Sequence, residues 1–259
     1  MADPVLAERD DDGVLTLTLN RPERHNGWGE DLEEAYYGLL TSAATDPAVR
    51  AVVLTGAGDS FCPGADMSRL GLLAEPGARL PHKAVDVPRR FPKPLVAAIN
   101  GACAGVGLVQ ALFCHVRFAA DTARFSTAFA RRGLVAEYGL AWTLPRLVGV
   151  ENALDLLLSA RKVDAAEAQA LGLVSRVVPR AEVLTAAQDY ARDLARNCSP
   201  LAMSVITRQV LDELDGTFDD ALERSYAEVD RVVGGPDLRE GVASYLERRP
   251  PRFPPLVRD

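Results

Sequence analysis

No run of this sequence approaches the roughly 20 apolar residues of a membrane span. The longest smooth stretch, Leu95 to Ala111, is broken by Asn100, Gly101, Gly105 and Gly107, so no membrane partner is expected. Cysteine is scarce: Cys62, Cys103, Cys114 and Cys198 are the 4 in 259 residues, with no CxxC pair and no disulfide-like framework. Free thiols in a reducing cytoplasm are the plain reading. There are 3 His, and no His/Cys/Asp/Glu set has metal-ligand spacing, so no metal is expected. Basic charge is in deficit, 29 Lys+Arg against 36 Asp+Glu for a net charge of −7. Phosphate binding wants clustered cations, so nucleic acid is not the expected partner. Met1 to Asp12 is acidic and has neither a basic n-region nor an apolar h-region. It does not read as a signal peptide, and a cytoplasmic location is the expectation.

What remains is an ordinary globular composition, 48% hydrophobic and 25% charged. That apolar content excludes low-complexity disorder. The length fits one large domain, or one domain plus an appendage, and a core of that size needs no disulfide staples.

Val14 to Leu19 alternates Thr with Val and Leu and reads as a strand ended by Asn20-Arg21-Pro22. Glu30 to Ala44 carries apolar residues at helical spacing, with acids in its first turn that suit the helix dipole. Ala51 to Thr55 is a short apolar strand stopped by Gly56 and Gly58. Strand, helix, strand in this order favours an α/β domain. Phe61 to Met67 is a tight turn feeding a helix, and Glu75 to Pro94 reads as a long surface loop. Leu95 to Ile99, Val116 to Ala120 and Val174 to Val178 read as strands, and Gly139 to Leu147 and Glu151 to Ser159 as helices. From Ala181 the pattern is helical: 181–197, 200–214, 218–233 and 237–247, before a tail with four prolines. The expected organisation is an α/β core over 1–197 and a helical C-terminal region over 198–259.

Two glycine turns follow buried strands: Gly64-Ala65 after AVVLT, and Gly105-Val106-Gly107 after LVAAI. Each places unpaired backbone N–H groups at the start of a helix, at its positive end. Two such groups aimed at one spot would hold a carbonyl oxygen that gains negative charge. On glycine pattern alone, tight connections are the commoner explanation. The second turn lacks the third glycine of a dinucleotide fingerprint.

The chain resembles the enoyl-CoA hydratase/isomerase (crotonase) superfamily along nearly its whole length. The segments that carry the resemblance are TLNRP (18–22) with Asn26, VVLTGAGDSFCPGADM (52–67) and KPLVAAINGACAGVGLVQALFCHVRFAADTARF (93–125). LPRLVG (144–149) and AQALGLVSRVV (168–178) complete the order. The resemblance implies a spiral of ββα units with two roughly perpendicular sheets. It also implies a C-terminal helical region that builds homotrimers or dimers of trimers. The implied substrate is an acyl-CoA thioester, as in fatty-acid β-oxidation, with coenzyme A part of the substrate and no separate cofactor.

By position, the resemblance makes the N–H groups of Ala65 and Val106 the oxyanion hole, although the family usually has Gly at 106. Ala65, Asp66 and Met67 fall where the family binds the adenine end of CoA. Arg24 falls at a basic position that often meets CoA phosphate; a solvated surface arginine is the equal alternative. Val109 and Phe129 stand where a hydratase carries its two water-activating glutamates, and neither can take a proton. Two-glutamate water addition is therefore not expected.

Glu137 is the remaining carboxyl. The segment Ala128-Phe129…Gly133…Glu137 is similar to Δ3,Δ2-enoyl-CoA isomerases, which use a glutamate there as their only base. An apolar setting from Leu134, Val135, Leu140 and Trp142 is expected to raise its pKa, with Trp142 also counted in the substrate pocket. An exposed glutamate near a helix N-terminus is the alternative. Other readings are an unaided water addition by Glu137, a dehalogenase-like attack by a carboxylate with His82 nearby, and an acyl-CoA binder without activity. His115 is expected to be structural, and Cys62, Cys103 and Cys114 to be small buried residues.

Overall fold

The computed structural model describes residues 2–79 and 85–256, and His82 lies outside them. The chain opens with β1 (Val5–Arg9), β2 (Val14–Leu19) and α1 (Glu30–Thr45). Three successive turns of two strands and a helix follow. They are β3 (Ala51–Gly56), β4 (Ser60–Cys62) and α2 (Met67–Leu73); β5 (Leu95–Ile99), β6 (Ala102–Ala104) and α3 (Val106–Phe113); and β7 (Val116–Ala120), β8 (Arg124–Ser126) and α4 (Leu140–Val148). This is the expected ββα spiral. The chain continues through α5 (Val150–Ser159), β9 (Val163–Asp164), α6 (Ala165–Ala170), β10 (Arg176–Val178) and α7 (Val183–Asn197). It ends in α8 (Pro200–Asp212), α9 (Phe218–Val232) and α10 (Pro236–Glu247).

The first strand of each turn joins a six-stranded sheet in the order β1-β2-β3-β5-β7-β10, and the second joins a four-stranded sheet in the order β4-β6-β8-β9. The pairs β2–β3, β3–β5 and β5–β7 are parallel. Every residue of β3 and of β5 is buried, as parallel strands covered on both faces require. One cover is α7, which buries Val183, Ala187, Ala191 and Ala195 at four-residue spacing. Helix α1 packs against β1 and β2 and buries Leu32, Tyr36, Leu40 and Ala43. A fully buried Leu or Val side chain stabilises the fold by roughly 1.5–3 kcal/mol.

The loop expected over Glu75 to Pro94 differs at its end. Phe91 and Lys93 are buried, 2% and 3% exposed. The Lys93 Nζ donates to the carbonyls of Ala43 and Asp46 at 2.6 Å each, closing the C-terminal end of α1. A lysine there satisfies carbonyls that the helix leaves unpaired. The last strand is also shorter than its apolar run suggests, beginning at Arg176 rather than Val174.

The approach of α3 to β4 leaves no room for a side chain at Gly107. A Cβ on Gly107 would lie 2.2 Å from the Cys62 carbonyl oxygen, so α3 packs directly on the end of β4. Gly107→Ala is expected to force these elements apart and destabilise by about 2–3 kcal/mol, lowering the melting temperature by about 5 °C or more. Thermal unfolding of the purified variant measures it; an unchanged melting temperature would contradict that packing.

Candidate active site

Two turns from neighbouring units of the spiral meet. After β4 the chain turns through Pro63-Gly64-Ala65 with Gly64 at φ +115°, and after β6 it turns at Gly105 with φ +51°. A Cβ built on Gly105 would sit 3.5 Å from the Gly64 Cα, and one on Gly64 would sit 3.3 Å from the Ala104 carbonyl oxygen. Both glycines are needed for the left-handed backbone, and Gly64 also for the close approach.

The amides around the meeting point are mostly used. Asp66 N–H donates to the Trp28 carbonyl at 3.2 Å, Trp28 N–H to the Gly64 carbonyl at 2.8 Å, and Gly105 N–H to the Ser126 carbonyl at 3.1 Å. The N–H groups of Ala65 and Val106 take no hydrogen-bond partner among the described residues. Val106 is the first residue of α3, where an N–H has no intrahelical acceptor. Both residues line one cavity of about 110 Å³. Two unpartnered amides at one cavity have the chemistry to hold a carbonyl oxygen that becomes negative.

The facing wall comes from the segment after β8. Phe129, Leu134, Glu137 and Tyr138 line the same cavity. The backbone takes left-handed values at Ala128 (φ 61°), Gly133 (φ 72°), Tyr138 (φ 54°) and Gly139 (φ 72°), which fold it back over the turns. Glu137 is half-buried and is the one carboxyl among the described lining residues. Burial raises its pKa above the usual carboxylate value of 4.5, and the positive charge of Arg69 partly opposes that rise. It lies just before α4, and its carbonyl accepts the N–H of Leu140 at 2.9 Å.

The structure thus brings Ala65, Met67, Val106, Phe129 and Glu137 to one cavity and leaves the other expected site residues off its wall. Val109 is buried within α3. Asp66 caps α2 through the N–H of Ser68 at 3.0 Å and lines an adjoining depression with Arg21 and Arg69. Its carboxylate also holds Arg24 at 3.1 Å, and the Ser68 N–H bond, helped by this pairing, keeps its pKa below the usual carboxylate range. Trp142 lies between two guanidinium groups, with Arg89 at 4.8 Å and Arg146 at 3.9 Å from its ring centre. Val135 is exposed, so the apolar surroundings of Glu137 come from Phe129 and Leu134 rather than from Val135 and Trp142. His115 is structural: buried, its Nδ1 accepts the Leu95 N–H at 3.2 Å, and burial lowers its pKa to about 4. Cys62, Cys103 and Cys114 are buried free thiols.

Sequence reasoning missed a charged group in the wall. Arg69, on α2, donates to Glu33 at 2.9 Å, and the indole N–H of Trp28 donates to the same oxygen at 2.9 Å. Glu33 is 2% exposed although it sits among the first-turn acids of α1. Trp28, Arg69, Arg132 and Tyr138 all line the cavity. The signal available was the position of Arg69, two residues into the helix that the Ala65 turn starts. Among the described residues no group of three or more His, Cys, Asp and Glu is placed to hold a metal ion, and no helix is long and apolar enough to cross a membrane.

Fold and site define an α/β spiral protein whose cavity is lined by two unpartnered backbone amides and, among the described residues, one carboxyl. Residues 9–255 match the family model for enoyl-CoA hydratase/isomerase, and the chain belongs to that family. It is 34% identical over 255 residues to a 1,2-epoxyphenylacetyl-CoA isomerase of Escherichia coli, covering 93% of this chain and 95% of the relative. An enoyl-CoA hydratase structure from Mycobacterium marinum is 47% identical with a TM-score of 0.71, covering 81% of this chain and 97% of the other. One from Bacillus anthracis superposes with a TM-score of 0.90 at 28% identity, covering 97% and 99%.

Proposed function

We propose that the protein moves the double bond of a 3-enoyl-CoA into conjugation, giving the 2-enoyl-CoA, with Glu137 as its only acid and base. The observation that carries this reading is one carboxyl and two unpartnered amides at a single cavity among the described residues. The Glu137 carboxylate takes a proton from C2. The electron pair left behind moves into the thioester, whose oxygen becomes negative between the N–H groups of Ala65 and Val106. The carboxyl returns its proton to C4, and the electrons settle between C2 and C3. No water enters and none leaves, so one group suffices. Phe129 and Leu134 keep the carboxyl poorly solvated and therefore a stronger base than a surface glutamate.

In this reading Arg24 meets a CoA phosphate while staying paired with Asp66, and the backbone around Ala65 to Met67 takes the adenine end. A trimer or dimer of trimers would cover the apolar side chains that α8 to α10 leave exposed, among them Ile206, Val210, Phe218, Tyr226 and Tyr245.

The experiment is a direct assay with a 3-enoyl-CoA, following the conjugated thioester by ultraviolet absorbance. A second reading, water addition to a 2-enoyl-CoA, is supported by the relatives called hydratases; it requires a 3-hydroxyacyl-CoA product and fails if none forms. Tight acyl-CoA binding with no turnover of either substrate would leave a binding protein.

The reading carries a pH dependence. The base form of Glu137 is required, so kcat/KM is expected to fall as pH drops through a pKa displaced upward from 4.5. Stability runs the other way. A carboxyl whose pKa is higher folded than unfolded binds its proton more tightly in the folded state. Its favourable contribution is present at low pH and lost as pH rises through the raised value. Glu137→Gln is therefore expected to melt no earlier than the natural protein at pH 7, and a clear loss of melting temperature would contradict the desolvated carboxyl.

A further inference from the structure

The cavity wall holds a cation that the proton transfer above does not use. The Arg69 side chain is 19% exposed, and one of its terminal nitrogens is bonded to Glu33. Among the described residues its other two nitrogens take no hydrogen-bond partner, and neither is sealed from solvent. Arg69 lines this cavity and also the adjoining depression beside Asp66. The guanidinium is held in place by Glu33, and Glu33 is itself held by the indole of Trp28. Such anchoring removes most of the side-chain entropy that an arginine would lose on meeting a ligand. No ion pair joins Arg69 to Glu137 among the described residues, so the catalytic carboxyl leaves these donors free. Arg132 stands at the same cavity with only a 3.5 Å contact to the Arg131 carbonyl.

A plain alkenyl chain would cover these N–H groups without giving them an acceptor, and a desolvated donor left unpaired is costly. An oxygen on the acyl group would pair them, and a carboxylate could do so with two parallel bonds. We propose that Arg69 reads the acyl group and that the substrate carries a hydrogen-bond-accepting oxygen beyond its thioester. This deepens the 3-enoyl-CoA reading and rests on it for the reaction, but not for binding.

The test is calorimetric binding of three four-carbon ligands to the full chain: butanoyl-CoA, 4-hydroxybutanoyl-CoA and succinyl-CoA. At least one oxygenated ligand is expected to bind about tenfold or more tightly than butanoyl-CoA. Preference for succinyl-CoA identifies a carboxylate, and preference for the hydroxy ligand alone identifies a neutral oxygen. In Arg69→Met the preference is expected to shrink to about twofold with butanoyl-CoA binding unchanged. Because that variant leaves Glu33 buried without its partner, Glu33→Gln/Arg69→Met serves as the second variant and keeps the site neutral. Equal affinities in the natural protein, or a preference that survives in the folded variants, would overturn the proposal. The same series on Glu137→Gln separates the two readings. An oxygen preference without turnover of any 3-enoyl-CoA sinks the isomerase and leaves the recognition standing. Turnover with no preference does the reverse.

Discussion

Glu137→Gln is expected to cut turnover of a 3-enoyl-CoA by about 10²–10⁴-fold while leaving acyl-CoA affinity close to that of the natural protein. The amide matches the carboxyl in shape, so the cavity keeps its walls, and the Ala65 and Val106 amides still hold the thioester. What disappears is the one carboxyl among the described lining residues, the group that takes the proton from C2 and returns it to C4 in this mechanism. Phe129 and Val106 carry no titratable group, and Arg69 and Arg132 are cations at the working pH. Measuring kcat and Kd side by side distinguishes this from a damaged fold, which would lower kcat and raise Kd. Retained turnover in Glu137→Gln would remove the isomerase mechanism outright.

Val106→Pro is expected to lower kcat by about 10²–10³-fold with little effect on folding. Proline deletes one hydrogen-bond donor to the developing oxyanion. Elsewhere in a helix that exchange would be ruinous, but Val106 is the first residue of α3, the place where a helix best tolerates proline. Gly105 before it has ψ −128°, outside the α region that a following proline disfavours. Val106→Gly is the control: it keeps the N–H and removes the side chain, so its kcat should stay far above that of the proline variant. Equal losses in both would show that valine's bulk, and not its amide, is what the site uses.

The longer elements were legible because their side chains repeat. The buried Leu32, Tyr36 and Leu40 mark α1, Val183 to Ala195 mark α7, and the unbroken apolar runs of β3 and β5 mark central parallel strands. The short elements were not. Three-residue β6 and β8 and two-residue β9 are too brief to show a period, as is six-residue α6. In β1, the edge strand, only Val5 is buried, so no alternation appears. These short strands make the second sheet, which is why the spiral came from the resemblance rather than from the pattern.

The site divides in the same way. Ala65 and Val106 were placed by the resemblance, since the glycine turns alone read more commonly as tight connections. Glu137 was singled out by likeness to the isomerases, not by its spacing. The Arg69–Glu33 pair spans 36 positions and joins two helices, and no local pattern encodes it. Glu33 in particular looks like any acid in the first turn of a helix. Trp142 misled because its neighbours in sequence are apolar, whereas its partners in space are Arg89 and Arg146.

The donors at Ala65 and Val106 belong to the main chain, and this bears on how such a protein can change by descent. A peptide N–H survives every substitution except proline, so a pair of donors built this way is nearly immune to point mutation. The carboxyl opposite is a single side chain, open to replacement in one codon. A lineage built this way can abandon one reaction and take up another while its grip on the thioester passes on intact. The two glycines that let the turns touch are the hereditary constraint, since they fix where the amides stand whatever chemistry is mounted across from them.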